Sequence, residues 1–132
     1  MCVHDITTHP IHLGMGASAE AEPRFTATMD WYADYGQRHT EDGIESRLVS
    51  MHTFSEPWTQ WEMHPQGSEV VLCTRGIIRL HQQLKDGTVA TLTLAPGEYA
   101  LNDPGVWHTA DVEGEATALF ITAGLGTQHR PR

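Results

Sequence analysis

The chain has 132 residues, enough for one domain whose hydrophobic core needs no disulfide staples. Lysine plus arginine number 8 and aspartate plus glutamate 17, a formal net charge of −9 that repels a phosphate backbone and excludes nucleic acid as a natural partner. No apolar run approaches the roughly 20 residues that cross a bilayer. The opening MCVHDITTHP has neither the basic nor the apolar region of a secretory signal, so a cytoplasmic location without membrane contact is expected. Cys2 and Cys73 form no spaced framework and read as free thiols of a reducing compartment.

In chain order, residues 1–43 read as an N-terminal arm ending in a short helix. His4, His9 and His12 fall in a turn-rich stretch beside Pro10, at spacings that fix no shared face. The spacing of Trp31, Tyr35 and Arg38 predicts a helix over 29–42, with Asp30 capping its start and Gly43 stopping it. The Trp31, Tyr32 and Tyr35 stripe reads as a packing face against a sheet. From residue 44 the period changes to that of strands, over 44–54, 58–64, 69–74, 77–84, 88–94, 98–101, 106–112 and 116–123. Asp86-Gly87 is a hairpin signal, and Gly/Pro turns separate the other strands. About eight short strands at regular spacing predict an all-β sandwich or barrel over 44–123, followed by a polar, flexible tail over 124–132.

The stretch 61–76, WEMHPQGSEVVLCTRG, is dense in ligand-type residues. Glu62 and His64 stand two apart and share a face of an extended strand. Pro65 to Ser68 read as a turn, after which Glu69, Val71 and Cys73 again face one way. Two paired strands can thus aim one imidazole and two carboxylates at a common point, and His108 in DPGVWH adds a second imidazole. Two imidazoles and two carboxylates suit a divalent metal. With no thiolate among them they fit Mn, Fe, Ni or Zn without separating these. Cys73 lies about 13 Å up the strand from Glu69 and reads as a small core residue.

These residues resemble the cupin superfamily. Its first motif, His-x-His, three or four residues, Glu, six residues, Gly, is matched by Glu62-Met63-His64, Glu69 and Gly76 at the same spacing. The second, Gly, five residues, Pro-x-Gly-x-x-His, is matched by Gly97 and Asp103-Pro104-Gly105-Val106-Trp107-His108. The chain departs at Glu62, which replaces the first histidine, and at Asp103, which replaces a proline. The resemblance implies a double-stranded β-helix, or jelly-roll barrel, with one short N-terminal helix, and His64, Glu69 and His108 as metal ligands. Glu62 can ligate, act as a general base beside the metal, or accept a hydrogen bond from substrate. Its charge favours a dication and penalises an anionic substrate.

The resemblance further implies oxygenase, isomerase, lyase or decarboxylase chemistry on a small polar molecule. The alternatives are a non-catalytic ligand-binding or sensing barrel and a structural one; the internal polar cluster argues against the last. Acids and bases beyond the ligands come down to Glu62, His52 and Tyr99. His52 and His81 otherwise read as satisfied or exposed, and Arg47 and Arg79 as surface residues or carboxylate binders. Trp58, Trp61 and Trp107 read as core or pocket wall, with Trp107 turned away from His108 toward an interface. Unpaired edges at the N-terminal segment and at 116–123 predict a homodimer.

Overall fold

The computed structural model of the chain describes residues 2–132. Its elements run β1 (Ile11–Leu13), β2 (Ala19–Ala21), α1 (Met29–Arg38), β3 (Arg47–Phe54), β4 (Gln60–Met63), β5 (Glu69–Arg75), β6 (Ile78–Gln83), β7 (Val89–Leu94), β8 (Tyr99–Asn102), β9 (His108–Val112), β10 (Ala116–Thr122) and β11 (Gln128–Pro131). They form two antiparallel sheets, ordered β2-β1-β3-β10-β5-β8 and β11-β4-β9-β6-β7.

Period-2 alternation decides which side chains enter the core. On β5, Glu69, Val71 and Cys73 are buried, and on β6 Ile78 and Leu80 are buried while their neighbours are half-exposed. Leu94, Phe120 and four alanines, Ala100, Ala110, Ala116 and Ala118, complete the core between the sheets. The large members carry most of the stabilisation, about 1.5–3 kcal/mol for each fully buried Val, Leu, Ile or Phe. The thiol of Cys73 is fully buried and donates to the Arg75 and Gly76 carbonyls at 3.5 and 3.4 Å, as a core residue rather than a ligand.

Two turns depend on glycine. Gly76 has φ +75°, and a Cβ there would stand 2.3 Å from the Glu115 carbonyl oxygen. Gly87, φ +86°, closes the β6–β7 hairpin at the expected Asp86-Gly87 position, with Leu84 donating to the Thr88 carbonyl.

The chain ends contribute more than expected. β1 pairs with β3, so the arm extends the six-stranded sheet. The tail expected to be flexible contains β11, which pairs with β4 from Gln128↔Met63 to Pro131↔Gln60. β10 lies between β3 and β5, both edges used, so it offers no free edge for a homodimer. The helix is capped by Thr28, whose hydroxyl accepts from Trp31 N at 3.2 Å, while Asp30 sits in the first turn. It ends at Arg38, and 3-10 turns over Thr40–Glu45 delay β3 to Arg47.

A buried polar network ties the arm to the helix. His12, fully buried, receives the Tyr35 hydroxyl at Nδ1 and contacts Asp42 through Nε2, both at 2.6 Å. The His39 ring stacks on it at 3.5 Å, and Glu22 holds His39 and Arg38 at 2.9 and 3.1 Å. No helix among the described residues is long and apolar enough to cross a membrane.

Candidate metal centre

Strand register brings the four motif residues together. Glu62 on β4 stands opposite His108 on β9, and Glu69 on β5 stands opposite Asn102 on β8. His64 follows β4, its carbonyl accepting from Gly105 N at 3.0 Å, which fastens the first motif to the turn of the second. Glu62, His64 and His108 each offer a ligand atom, and these lie within 4.8 Å of one another. Glu69 bridges the imidazoles: its Oε2 is 3.2 Å from His64 Nε2 and its Oε1 is 3.2 Å from His108 Nε2.

The surrounding hydrogen bonds assign the ring tautomers. His108 Nδ1 faces the Val106 carbonyl at 3.1 Å, and a carbonyl only accepts, so the proton is on Nδ1. His64 Nδ1 is 2.8 Å from Thr127 Oγ1, whose own proton goes to the Gly124 carbonyl at 2.8 Å. The hydroxyl therefore accepts from His64 Nδ1–H. In the neutral rings both Nε2 atoms are therefore left with lone pairs. Both are buried, and neither has an aligned hydrogen-bond partner among the described residues. Bare lone pairs against a carboxylate repel one another unless a cation or a proton lies between. This donor set fits a divalent metal.

Glu69 is anchored by donors on both oxygens, Asn102 Nδ2 at 3.1 Å and Thr122 Oγ1 at 2.6 Å. Gln82 Nε2 in turn donates to Asn102 Oδ1 at 2.8 Å. Burial would raise the Glu69 carboxyl, but His108 and His64 more than reverse this and hold it well below the usual carboxylate range. Burial likewise opposes charge on His108, yet Glu69 first, then the Val106 carbonyl and Glu62, carry it above its ordinary value. Glu62 is the open carboxylate, its side chain 30% exposed, with Oε2 at 3.9 and 3.8 Å from the two Nε2 atoms. Its Oε1 lies 3.3 Å from His129 Nε2 on β11.

A cavity of about 1040 Å³ opens from this centre. Glu62, His64, Glu69 and His52 line it, as do Tyr32 and Tyr35 from the helical stripe expected only to pack; Trp31 is the stripe's buried member. Tyr32 is 42% exposed overall, yet burial of part of the ring, then the fields of Glu62 and Glu69, push its phenol up to about 12. Tyr99 is 64% exposed and lies outside the cavity lining. His81 is satisfied by Asp111 and Thr91 at 2.7 and 2.8 Å. Arg47 donates to the Ser68 carbonyl, and Arg79 pairs with Glu113 at the surface. Trp107 is covered by the Arg130 guanidinium at 4.4 Å within the same chain. The sequence reading missed Thr127, His129, Asn102 and Thr122, which carry no metal-ligand spacing. A second group, His12, His39 and Asp42, also comes within 4.8 Å. Its two rings stack 13° from parallel, so their in-plane lone pairs cannot meet at one ion.

No protein-family model matches the chain, and no curated protein does. Solved structures do. Peruvianin-I, a cysteine peptidase from Thevetia peruviana latex, is 23% identical with a TM-score of 0.55, over 64% of this chain and 56% of that one. An oxalate oxidase in complex with glycolate is 16% identical with a TM-score of 0.56, over 62% of this chain and 45% of that one. A cupin-2 domain containing protein from Shewanella frigidimarina is 20% identical with a TM-score of 0.48, over 65% and 71%. The matched region spans about half the length of the first two. In class, the molecule is a jelly-roll β-barrel with one short helix. It shares this fold with the oxalate oxidase, and it is the architecture that the paired motifs lead one to expect.

Proposed function

We propose that the chain is a metal-dependent cupin enzyme that holds a divalent transition metal, Mn, Fe, Ni or Zn, through His64, Glu69 and His108, with Glu62 as fourth ligand or base. The observation that carries this reading is the pair of buried, unpartnered Nε2 atoms facing Glu69. A bound metal would supply Lewis acidity toward an oxygen of the substrate. The chain's own residues do the rest. Thr127 and the Val106 carbonyl hold the imidazoles in the ligating tautomer. Asn102 and Thr122 keep Glu69 oriented. Glu62, open to the cavity and held from behind by His129, is placed to take a proton from a bound molecule or return one. Tyr32 stays a neutral hydroxyl donor at physiological pH. The reaction type is of the oxygenase, isomerase or lyase kind.

Elemental analysis of protein purified without an affinity tag tests this. One transition metal per chain is expected, and Glu69→Ala and His108→Ala should each lose it while keeping the far-ultraviolet circular dichroism of the barrel. Metal-free wild-type protein that also fails to take up added zinc would end the reading.

The same reading makes the protein a cytoplasmic homodimer. In support, Cys2 and Cys73 are free thiols, and edge strand β8 exposes Tyr99 and Leu101. Sedimentation at micromolar concentration should return a two-chain mass; a one-chain mass removes the dimer.

A further inference from the structure

The cavity above the metal centre has a one-sided chemistry. Much of its wall is apolar and aromatic: Phe25, Leu48, Phe54, Trp58 and Phe120, with Tyr32 at the helix. His52 sits among them, its ring 4.9 Å from Phe25 and 6.0 Å from Phe120. Burial pulls the His52 imidazole below its ordinary value, so it is neutral at pH 7. Glu56, Glu62 and Glu69 are the acidic side chains of the lining, and no lysine or arginine joins them among the described residues. Trp58 belongs to this wall, with its indole Nε1 buried away from the open space. Its ring lies 6.4 Å from that of His108, beside the metal centre.

We propose that the cavity takes an uncharged, largely aromatic molecule carrying a carbonyl or similar acceptor oxygen turned toward the metal centre, while the ring packs on the wall of Phe25, Phe54, Trp58 and Phe120. This names the substrate class of the centre described above and rests on that reading for the oxygen's proximity to a metal. Two observations converge on it. A dication is already balanced by Glu62 and Glu69, so an entering anion meets Glu56 with no lysine or arginine of the lining to offset it. A volume of about 1040 Å³ is far larger than a small dicarboxylate fills, while a ring system covers the apolar wall. This replaces the small polar molecule implied by the cupin resemblance with a neutral one that has a large apolar body.

Acetophenone and benzoate separate the possibilities, since they match in shape and differ in charge. In nitrogen-15 spectra of the zinc-loaded protein, the Trp58 indole resonance is assigned by its loss in Trp58→Phe. Acetophenone should shift that resonance saturably, with a dissociation constant at least about tenfold below that of benzoate. The zinc-free protein should keep the same order, because the apolar wall and its carboxylates need no metal. Benzoate binding as tightly as acetophenone, or no saturable shift with either, overturns the proposal. Failure to bind zinc, read from unchanged His64 and His108 ring resonances, would instead sink the metal centre and leave the substrate class to be decided in the zinc-free arm.

Discussion

Thr127 decides what His64 can do. A hydroxyl that gives its proton to Gly124 can only accept from the imidazole, so the ring nitrogen left bare is the one facing Glu69. Thr127→Val removes that acceptor while keeping the shape. Zinc affinity, measured by chelator competition, should fall by about 10–100-fold with the fold intact, as for other groups that orient a metal-bound histidine. Thr127→Ser should bind zinc like the wild type. Equal affinity in the valine variant would show that the tautomer is set elsewhere.

Among the elements, the β5–β6 turn is the least tolerant. Gly76→Ala places a methyl against the Glu115 carbonyl and an L-residue at φ +75°, whereas Gly87→Ala meets the same kind of backbone with nothing within 4 Å. The first should cost about 2–4 kcal/mol and the second about 1–2 kcal/mol in urea unfolding. Similar losses at the two sites would show that the Gly76 turn relaxes freely. The same elements explain what could be read before any coordinates. Glu69, Val71 and Cys73 alternate over a full strand, and Glu62, His64, Glu69 and His108 sit at motif spacing, so the barrel and the four converging side chains were legible. β1 and β2 are three residues each, too short for a period to register. The tail's GLGTQHRPR has no alternation, and its strand exists only because β4 presents an edge to pair with. Thr127 and His129 were hidden with it. Tyr32 was hidden for another reason: periodicity groups a helix face without saying whether it meets a core or a cavity.

At the scale of the whole molecule, the C-terminal segment is closed onto the barrel by Arg132, which donates to Asp111 at 2.7 Å and to the Trp58 carbonyl at 2.9 Å. That guanidinium, with His81 behind it, holds the Asp111 carboxyl down to about 2 against burial. A folded value below the unfolded one means that the stabilisation is complete above the ordinary carboxylate value of 3.8 and is lost as pH falls through about 2. Both partners are about a third exposed, so added salt should weaken the effect. In Arg132→Ala the Asp111 carboxyl, followed by carbon-13 titration, should move up toward the usual range, and the variant should unfold at higher pH on acidification. An unmoved titration would assign the depression to His81.

The placement of β11 also has a consequence for biosynthesis. The groups that finish the centre, at 127 and 129, are translated more than 60 residues after His64. A nascent chain can form the motif strands early, but with neither partner in reach the His64 ring is free to flip between tautomers. If the centre holds a metal as proposed, a fully oriented His64 would become available only once the chain beyond residue 127 has been made.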